Sequence, residues 1–399
     1  MTGVSTLGQN LAQIRRINIQ QSSLADFSTQ LATGRKTQRF TGLSTDVLAS
    51  KRSRSAFKSL EAYQNNITNA SRRIELTQAA VQEFQQQARN FLDVIRGLSQ
   101  ESTHQDGEIL VYDDPTTSEL EVTQVGLTSA DPSVDLRIVT DFANNIFETF
   151  TSLINAQDGD RYLLSGAETR SQPLTDTGTL QAALGSLIAE WKGGSISTDD
   201  LIADLSDRTT ESNSNALTDS TVGYSLELAN GEAGDIFVRA DERVEINYTT
   251  LASDDAFRDV LVAVSYFRTE NLTPIADAYI PPNTATPPFT PDVEGAPGET
   301  LDEQTDNFFA VVNALATSVS KAVDELDLVS FKLATAQARI TEIGVRHNAE
   351  QNFLQGIISD IEDVDQNEVA LKLNTLLTQL ETSFAVTSRV QQLSLVNFI

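Results

Sequence analysis

Proline is confined to the middle of this chain: of the ten prolines in 399 residues, none precedes Pro115 and none follows Pro297. Proline removes a backbone donor and clashes with the preceding helical turn, so both proline-free ends can run as long helices. Their apolar residues show how those helices face a partner. Leu7, Leu11 and Ile14 recur at spacings of four and three, and Leu24, Phe27 and Leu31 at three and four. Near the other end Val369, Leu373, Leu376 and Leu380 run four, three, four, and Leu393 and Leu395 carry the apolar series to the last turn. These are narrow coiled-coil seams, and the twelve residues are the candidate assembly seam. Long helices are predicted over about 46–100 and 301–358, with Asp365 and Glu368 placed to cap a final one.

Between the ends the texture changes. Residues 105–133 hold short apolar runs broken by Gly107, Pro115 and Pro132, which predicts a hairpin or an irregular excursion. A helix over about 134–156 follows, with Ile138, Phe142, Ile146 and Phe150 every four residues. From 160 to 250 the pattern is mixed: a helix from Thr179 to Trp191, then strands at Asp235–Val238 and Val244–Tyr248. A further helix is predicted over about 254–268, and the proline-rich stretch 273–298 reads as a loop. The fold class expected is therefore mainly α: a long antiparallel helical bundle or coiled coil formed by both termini, with a central α+β insertion. The boundaries expected are a terminal coiled-coil assembly domain at 1–45 and 360–399, a helical bundle domain at 46–165 and 251–359, and an outer α+β domain at 166–250.

Charge sharpens this division. The chain carries 28 Lys plus Arg against 56 Asp plus Glu, a formal net charge of −28. Residues 1–60 hold nine bases and two acids, whereas residues 61–330 hold 14 bases and 46 acids. A charge this negative opposes binding to phosphate backbones or anionic lipid, so neither nucleic acid nor a membrane is an expected partner. No apolar run approaches the roughly 20 residues that cross a bilayer, and the opening residues lack the basic and apolar regions of a cleavable secretory signal.

Chemistry-bearing residues are sparse. There is no Cys and there are two His, which removes thiolate nucleophiles and thiolate metal sites. His104 and His347 have no Ser or carboxylate partner in sequence and read as surface histidines. Asp360, Glu362, Asp363, Asp365 and Glu368 lack the glycine of a calcium loop and read as a solvated helix start. Asp158-Gly159-Asp160 reads as a tight turn. Lys51, Arg52, Arg54 and Lys58, without interleaved aromatics, read as a helix face that is solvated or meets an acidic neighbour. Gly193-Gly194 is not a phosphate loop, since no Lys-Ser follows. Trp191 reads as a core anchor. No catalytic, cofactor-binding or metal site is expected, and an enzyme or adhesin with its function in 160–300 would lack a nucleophile–base pair.

Several segments together resemble the bacterial flagellin superfamily, and within it the hook-associated members. At the N-terminal side these are Gln30-Leu31-Ala32-Thr33-Gly34-Arg35-Lys36 and Tyr63-Gln64-Asn65-Asn66-Ile67. At the C-terminal side they are Glu342 to Asn348, Ile361 to Asp365, and Leu393 to Ile399. Internally, Asn155 to Thr169 with Pro173, and Ala240-Asp241-Glu242-Arg243 through Asp255 to Leu261, are similar to the borders of the outer domain in those members. The resemblance implies a structural, non-enzymatic flagellar protein: a junction adaptor ring between hook and filament, or alternatively a flagellin-type filament subunit. It also implies the partners: a hook-side junction protein, flagellin, further copies of the chain, and an export chaperone. The implied location is extracellular, in the flagellum, after type III export without a cleavable signal.

Overall fold

The computed structural model describes residues 3–101, 111–112, 121–122, 136–210, 213–270 and 301–396. Ten helices are described: α1 (Gly3–Thr33), α2 (Val47–Glu101), α3 (Leu136–Ile154), α4 (Gly178–Lys192), α5 (Thr198–Ser206), α6 (Asp219–Val222), α7 (Leu226–Ala229), α8 (Asp255–Thr269), α9 (Leu301–Glu362) and α10 (Gln366–Val396). Six short strands form three antiparallel pairs: β1 (Val111–Tyr112) with β2 (Glu121–Val122), β3 (Gln157–Asp158) with β4 (Arg161–Tyr162), and β5 (Phe237–Asp241) with β6 (Val244–Asn247). The protein is mainly α, with long helices at both ends that pack together and small sheets in the middle, as the proline distribution and periodicity predict. The hairpin expected near 105–133 is described only at β1 and β2, and the loop expected at 273–298 lies outside the described residues.

The chain forms two compact units, one of Met1–Asn65 with Ile343–Ile399 and one of Asn66–Glu342. In the second unit a heptad rule builds the core. Ile67, Ala70, Ile74, Thr77, Val81, Phe84, Ala88, Phe91, Ile95 and Leu98 alternate spacings of three and four, and all are buried. On α9 the facing residues Phe308, Val312, Leu315, Val319, Ala322 and Leu326 do the same. The two helices run antiparallel, with Ser71 opposite Gln337 and Arg96 opposite Ser320, and Gln85 Nε2 donates between them to the Val323 carbonyl at 3.1 Å. Phe84 is the hub: its ring lies 4.3 Å from Phe150 of α3 and 5.0 Å, edge-on, from Phe257 of α8.

The mixed segment of this unit is stapled by polar groups that the core surrounds. Trp191, at the end of α4, is fully buried and donates Nε1 to Thr198 Oγ1 at 3.1 Å, the anchor its sequence position suggests. Ser197 and Asp200 close a reciprocal capping box at the start of α5. Gly223 ends α6 at a φ of 96°, where a Cβ would sit 1.6 Å from the Asp176 carbonyl oxygen, so only glycine fits. Gly159 turns β3 into β4 at a φ of 66°, which makes Asp158-Gly159-Asp160 the tight turn expected.

Arg258 is the costliest group in this packing. It is fully buried on α8, and its guanidinium donates to the carbonyls of Leu217 at 2.7 Å and Asp207 at 2.9 Å, with Asp259 3.3 Å away. The fork satisfies backbone acceptors from the α5–α6 connection that no neighbouring strand supplies. Replacing Arg258 with Ala therefore strands those carbonyls in an apolar site and should lower the stability of this unit by about 3–5 kcal/mol. Arg258→Lys should recover less than half of the loss, because the shorter ammonium forfeits what the second fork nitrogen Nη1 supplies to the Ser206 carbonyl and to Asp259, at 3.4 and 3.3 Å. Urea unfolding of the two variants beside the parent checks both outcomes.

Candidate assembly surface

The first unit is built from the two ends of the chain, and its elements meet at a pair of turns. Helix α1 stops because Gly34 adopts a φ of 71°, with its amide donating back to the Gln30 carbonyl at 2.8 Å. The extended residues that follow pair with the end of α9. The Lys36 amide donates to the Glu362 carbonyl at 2.7 Å and the Val364 amide to the Gly34 carbonyl at 2.9 Å, so Arg35 and Asp363 form an antiparallel bridge. Asp365 then caps α10, its Oδ1 accepting from the amides of Asn367 at 2.8 Å and Glu368 at 3.3 Å, while Glu368 itself turns to Lys372 at 2.6 Å.

A buried carboxylate holds these turns against α2. Glu362 accepts from Ser50 Oγ and from Arg54 Nε, each at 2.6 Å, and Arg54 Nη2 closes a bidentate pair on its second oxygen. Ser50 is fully buried and Glu362 is 6% exposed, so the reading of Glu362 as part of a solvated helix start is corrected: the carboxylate is enclosed because Arg54 reaches it from α2. The Arg54 hydrogen bonds, with the Ser50 hydroxyl and the nearby charges of Arg54 and Arg35, hold Glu362 at about 2, against a burial effect that pushes it up. Of the other bases in that cluster, Lys51 lies 5.7 Å over the Phe40 ring.

Histidine 347 also departs from expectation. It is fully buried, its ring 6.0 Å from that of Tyr63, whereas the sequence alone suggests a surface position. The signal was present in the register: Leu333, Ala336, Ile340, Ile343 and His347 continue the three–four alternation of α9, so the imidazole falls on the apolar stripe. His104 lies outside the described residues.

Helices α1 and α10 pack on each other, with Gln13 Nε2 donating to Thr387 Oγ1 at 2.6 Å. Along this pair Val369 and Leu380 are buried, and Leu24, Phe27, Leu31, Leu373 and Leu376 are half-buried. Leu11 and Ile14 are exposed, at 59% and 55%. The side chains of Leu7, Leu393 and Leu395 lie outside the described residues. Sequence periodicity missed a second set of apolar residues off the seam: Ile19, Leu371, Phe384 and Val386 are all exposed. Their signal is the scarcity of charge around them. Helix α1 has only Arg15, Arg16 and Asp26, and α10 only Glu368, Lys372, Glu381 and Arg389, each over 31 residues. A helix whose outer face meets water ordinarily charges that face; here it carries Gln, Asn, Ser and Thr between exposed Leu, Ile and Phe.

Among the described residues no cluster of His, Asp and Glu could hold a metal ion, and no helix is long and apolar enough to cross a membrane. What the geometry defines is a chain whose two ends form one clasped helical pair with an exposed, low-charge apolar surface. Residues 316–399 match the family model of the bacterial flagellin C-terminal helical region, so the resemblance noted in the sequence holds for this part of the chain. No curated protein matches the sequence. Among solved structures, one from Vibrio parahaemolyticus described as a flagellar hook-associated protein overlaps 79% of this chain and 97% of its own, at 10% identity and a TM-score of 0.40. At that score the overlap adds nothing to the family match.

The clasp has a pH signature. Glu362 falls from an ordinary value of 4.5 to about 2 on folding, so its stabilisation is fully present above 4.5 and is lost as pH drops toward 2. The protection factors of the amides of residues 34–37 and 362–366, measured against the intrinsic exchange rate at each pH, should fall progressively over that window. Glu362→Gln should speed exchange there at neutral pH and flatten the dependence below pH 4.5.

Proposed function

We propose that this chain is a structural subunit of the bacterial flagellum, and specifically a junction adaptor that forms a ring between hook and filament. The flagellin-type C-terminal region, on the same helix pair as the exposed low-charge apolar surface, carries the reading. Helices of this kind bury too little surface alone, and isolated helices are marginal in water. Among copies and neighbouring rings, Leu11, Ile14 and Phe384 would each contribute about 1.5–3 kcal/mol on full burial. Residues 1–45 and 360–399 are then the assembly segment, and 166–250 an outer domain. The role is structural rather than enzymatic, in an extracellular setting reached by type III export with the help of a chaperone. Its neighbours are a hook-side junction protein on one side, flagellin on the other, and copies of itself around the ring.

The family match equally supports a second reading, a filament subunit that stacks on itself. A head-to-tail interface that fails to close makes an open helical filament, so a junction protein must disfavour its own copies above and below. The acidic middle supplies like-charge repulsion toward that end, screened over roughly 8 Å at physiological salt.

Purified protein added to short filament seeds should not elongate them in low or moderate salt, yet should bind isolated hooks; long filaments of this chain alone, seen by electron microscopy, would establish the filament reading instead. Deleting residues 1–40 or 365–399 should abolish hook binding while the Asn66–Glu342 unit still unfolds cooperatively in urea. Hook binding that survives either deletion would remove the helix pair from the interface.

A further inference from the structure

In the Asn66–Glu342 unit, the hairpins β3–β4 and β5–β6 and one face of α2 enclose an open cleft of about 740 Å³. Its charge is out of keeping with its surroundings. Residues 61–330 hold 14 bases against 46 acids, yet four arginines, Arg72, Arg73, Arg161 and Arg239, line this one cleft against two acids, Asp158 and Asp160. Two of them serve the fold: Arg73 is buried and donates Nη2 to the carbonyls of Tyr162 and Leu163, and Arg72 pairs with Asp158 at 3.1 Å. The other two are exposed. Arg239 gives Nη2 to the backbone carbonyl of Glu242 at 3.0 Å and lies across the ladder from Glu245, and Arg161 lies across the ladder from Asp158, whose carboxylate is taken by Arg72.

The cleft also presents one aromatic ring to solvent. Phe237 lies two positions before Arg239 on β5, hence on the same face of the strand, and is 53% exposed. Asn66 and Asn69, one turn apart on α2, add exposed amides. Guanidinium forks match carboxylates bidentately, the ring suits an aliphatic or aromatic side chain, and side-chain amides suit a peptide backbone. The volume exceeds what one small inorganic anion fills, and a nucleic acid strand would run from the cleft into the acidic surface around it. Acids outnumber bases two to one in this chain, so copies packed side by side present carboxylates to each other.

We propose that this cleft is a lateral docking site that receives a carboxylate-bearing segment of a neighbouring copy of the chain. The inference rests on the multi-copy reading above. It gives the acidic middle an attractive, directional contact around the ring, while the same charge still opposes uniform stacking. Arg161 and Arg239 would engage the carboxylates and Phe237 the apolar side chain between them.

The test places a photoreactive benzoyl-phenylalanine at position 237 of the full-length protein and irradiates it in two settings, bound to isolated hooks and free at high concentration in low salt. Mass spectrometry should map a cross-link between two copies, to a segment containing Asp or Glu. Adding the substitutions Arg161→Glu and Arg239→Glu should cut that cross-link roughly tenfold without reducing hook binding, and a hexaglutamate peptide should compete where hexalysine does not. Cross-links only within one copy or only to a hook protein, or a cross-link indifferent to the double substitution, would overturn the proposal. So would competition by an oligouronate but not by hexaglutamate, which would make the cleft a saccharide site. Failure to bind hooks counts against the junction reading alone, since the free-protein arm still decides whether copies meet at this cleft.

Discussion

Glu362 is the group on which the clasped end of this chain depends. Taking a carboxylate out of water is expensive unless its oxygens are fully partnered, and here Ser50 and Arg54 do so from α2 while its own backbone carbonyl receives the Lys36 amide. One residue thus joins its own helix end to two segments, at Lys36 and at Ser50–Arg54, that lie more than 300 positions before it. Because the side chain ties α9 to α2 and the main chain ties α9 to the turn after α1, the direction in which α1 and α10 leave that turn follows from a few bonds. The apolar surface on those helices is then displayed in a defined way instead of being spent on a private core.

Arg258 plays a comparable part in the other unit with the opposite chemistry. There a buried cation serves backbone carbonyls, allowing a connection of low regularity to cross the interior without orphaned acceptors. Both units therefore combine a heptad-built apolar stripe, which is cheap to specify, with one polar centre that is costly to break and selects a single arrangement.

The helices were legible in the sequence because their causes are local. Proline exclusion and three–four spacing place α2 and α9 to within a few residues, and Gly159 and the Asp365 cap each act through their own backbone. What escaped was anything set by partners distant in the chain. Glu362 looked like one acid among five until Arg54 was opposite it, and His347 looked like a surface imidazole because its type outweighed its place on the stripe. The cleft arginines come from α2, β4 and β5, and nothing in the spacing of Arg72, Arg161 and Arg239 announces that they converge. The exposed residues Ile19 and Phe384 were visible only as a shortage of charge around them.

The placement of the aromatic side chains has an optical consequence. The single tryptophan, Trp191, is sealed in the Asn66–Glu342 unit, while the other unit contains one tyrosine, Tyr63, and no indole. Emission excited at the red edge of the absorption band therefore comes from one half of the molecule, whereas backbone ellipticity is dominated by helices in both. The two halves carry separate spectroscopic labels by nature, so events at the clasp are dark to one probe and bright to the other.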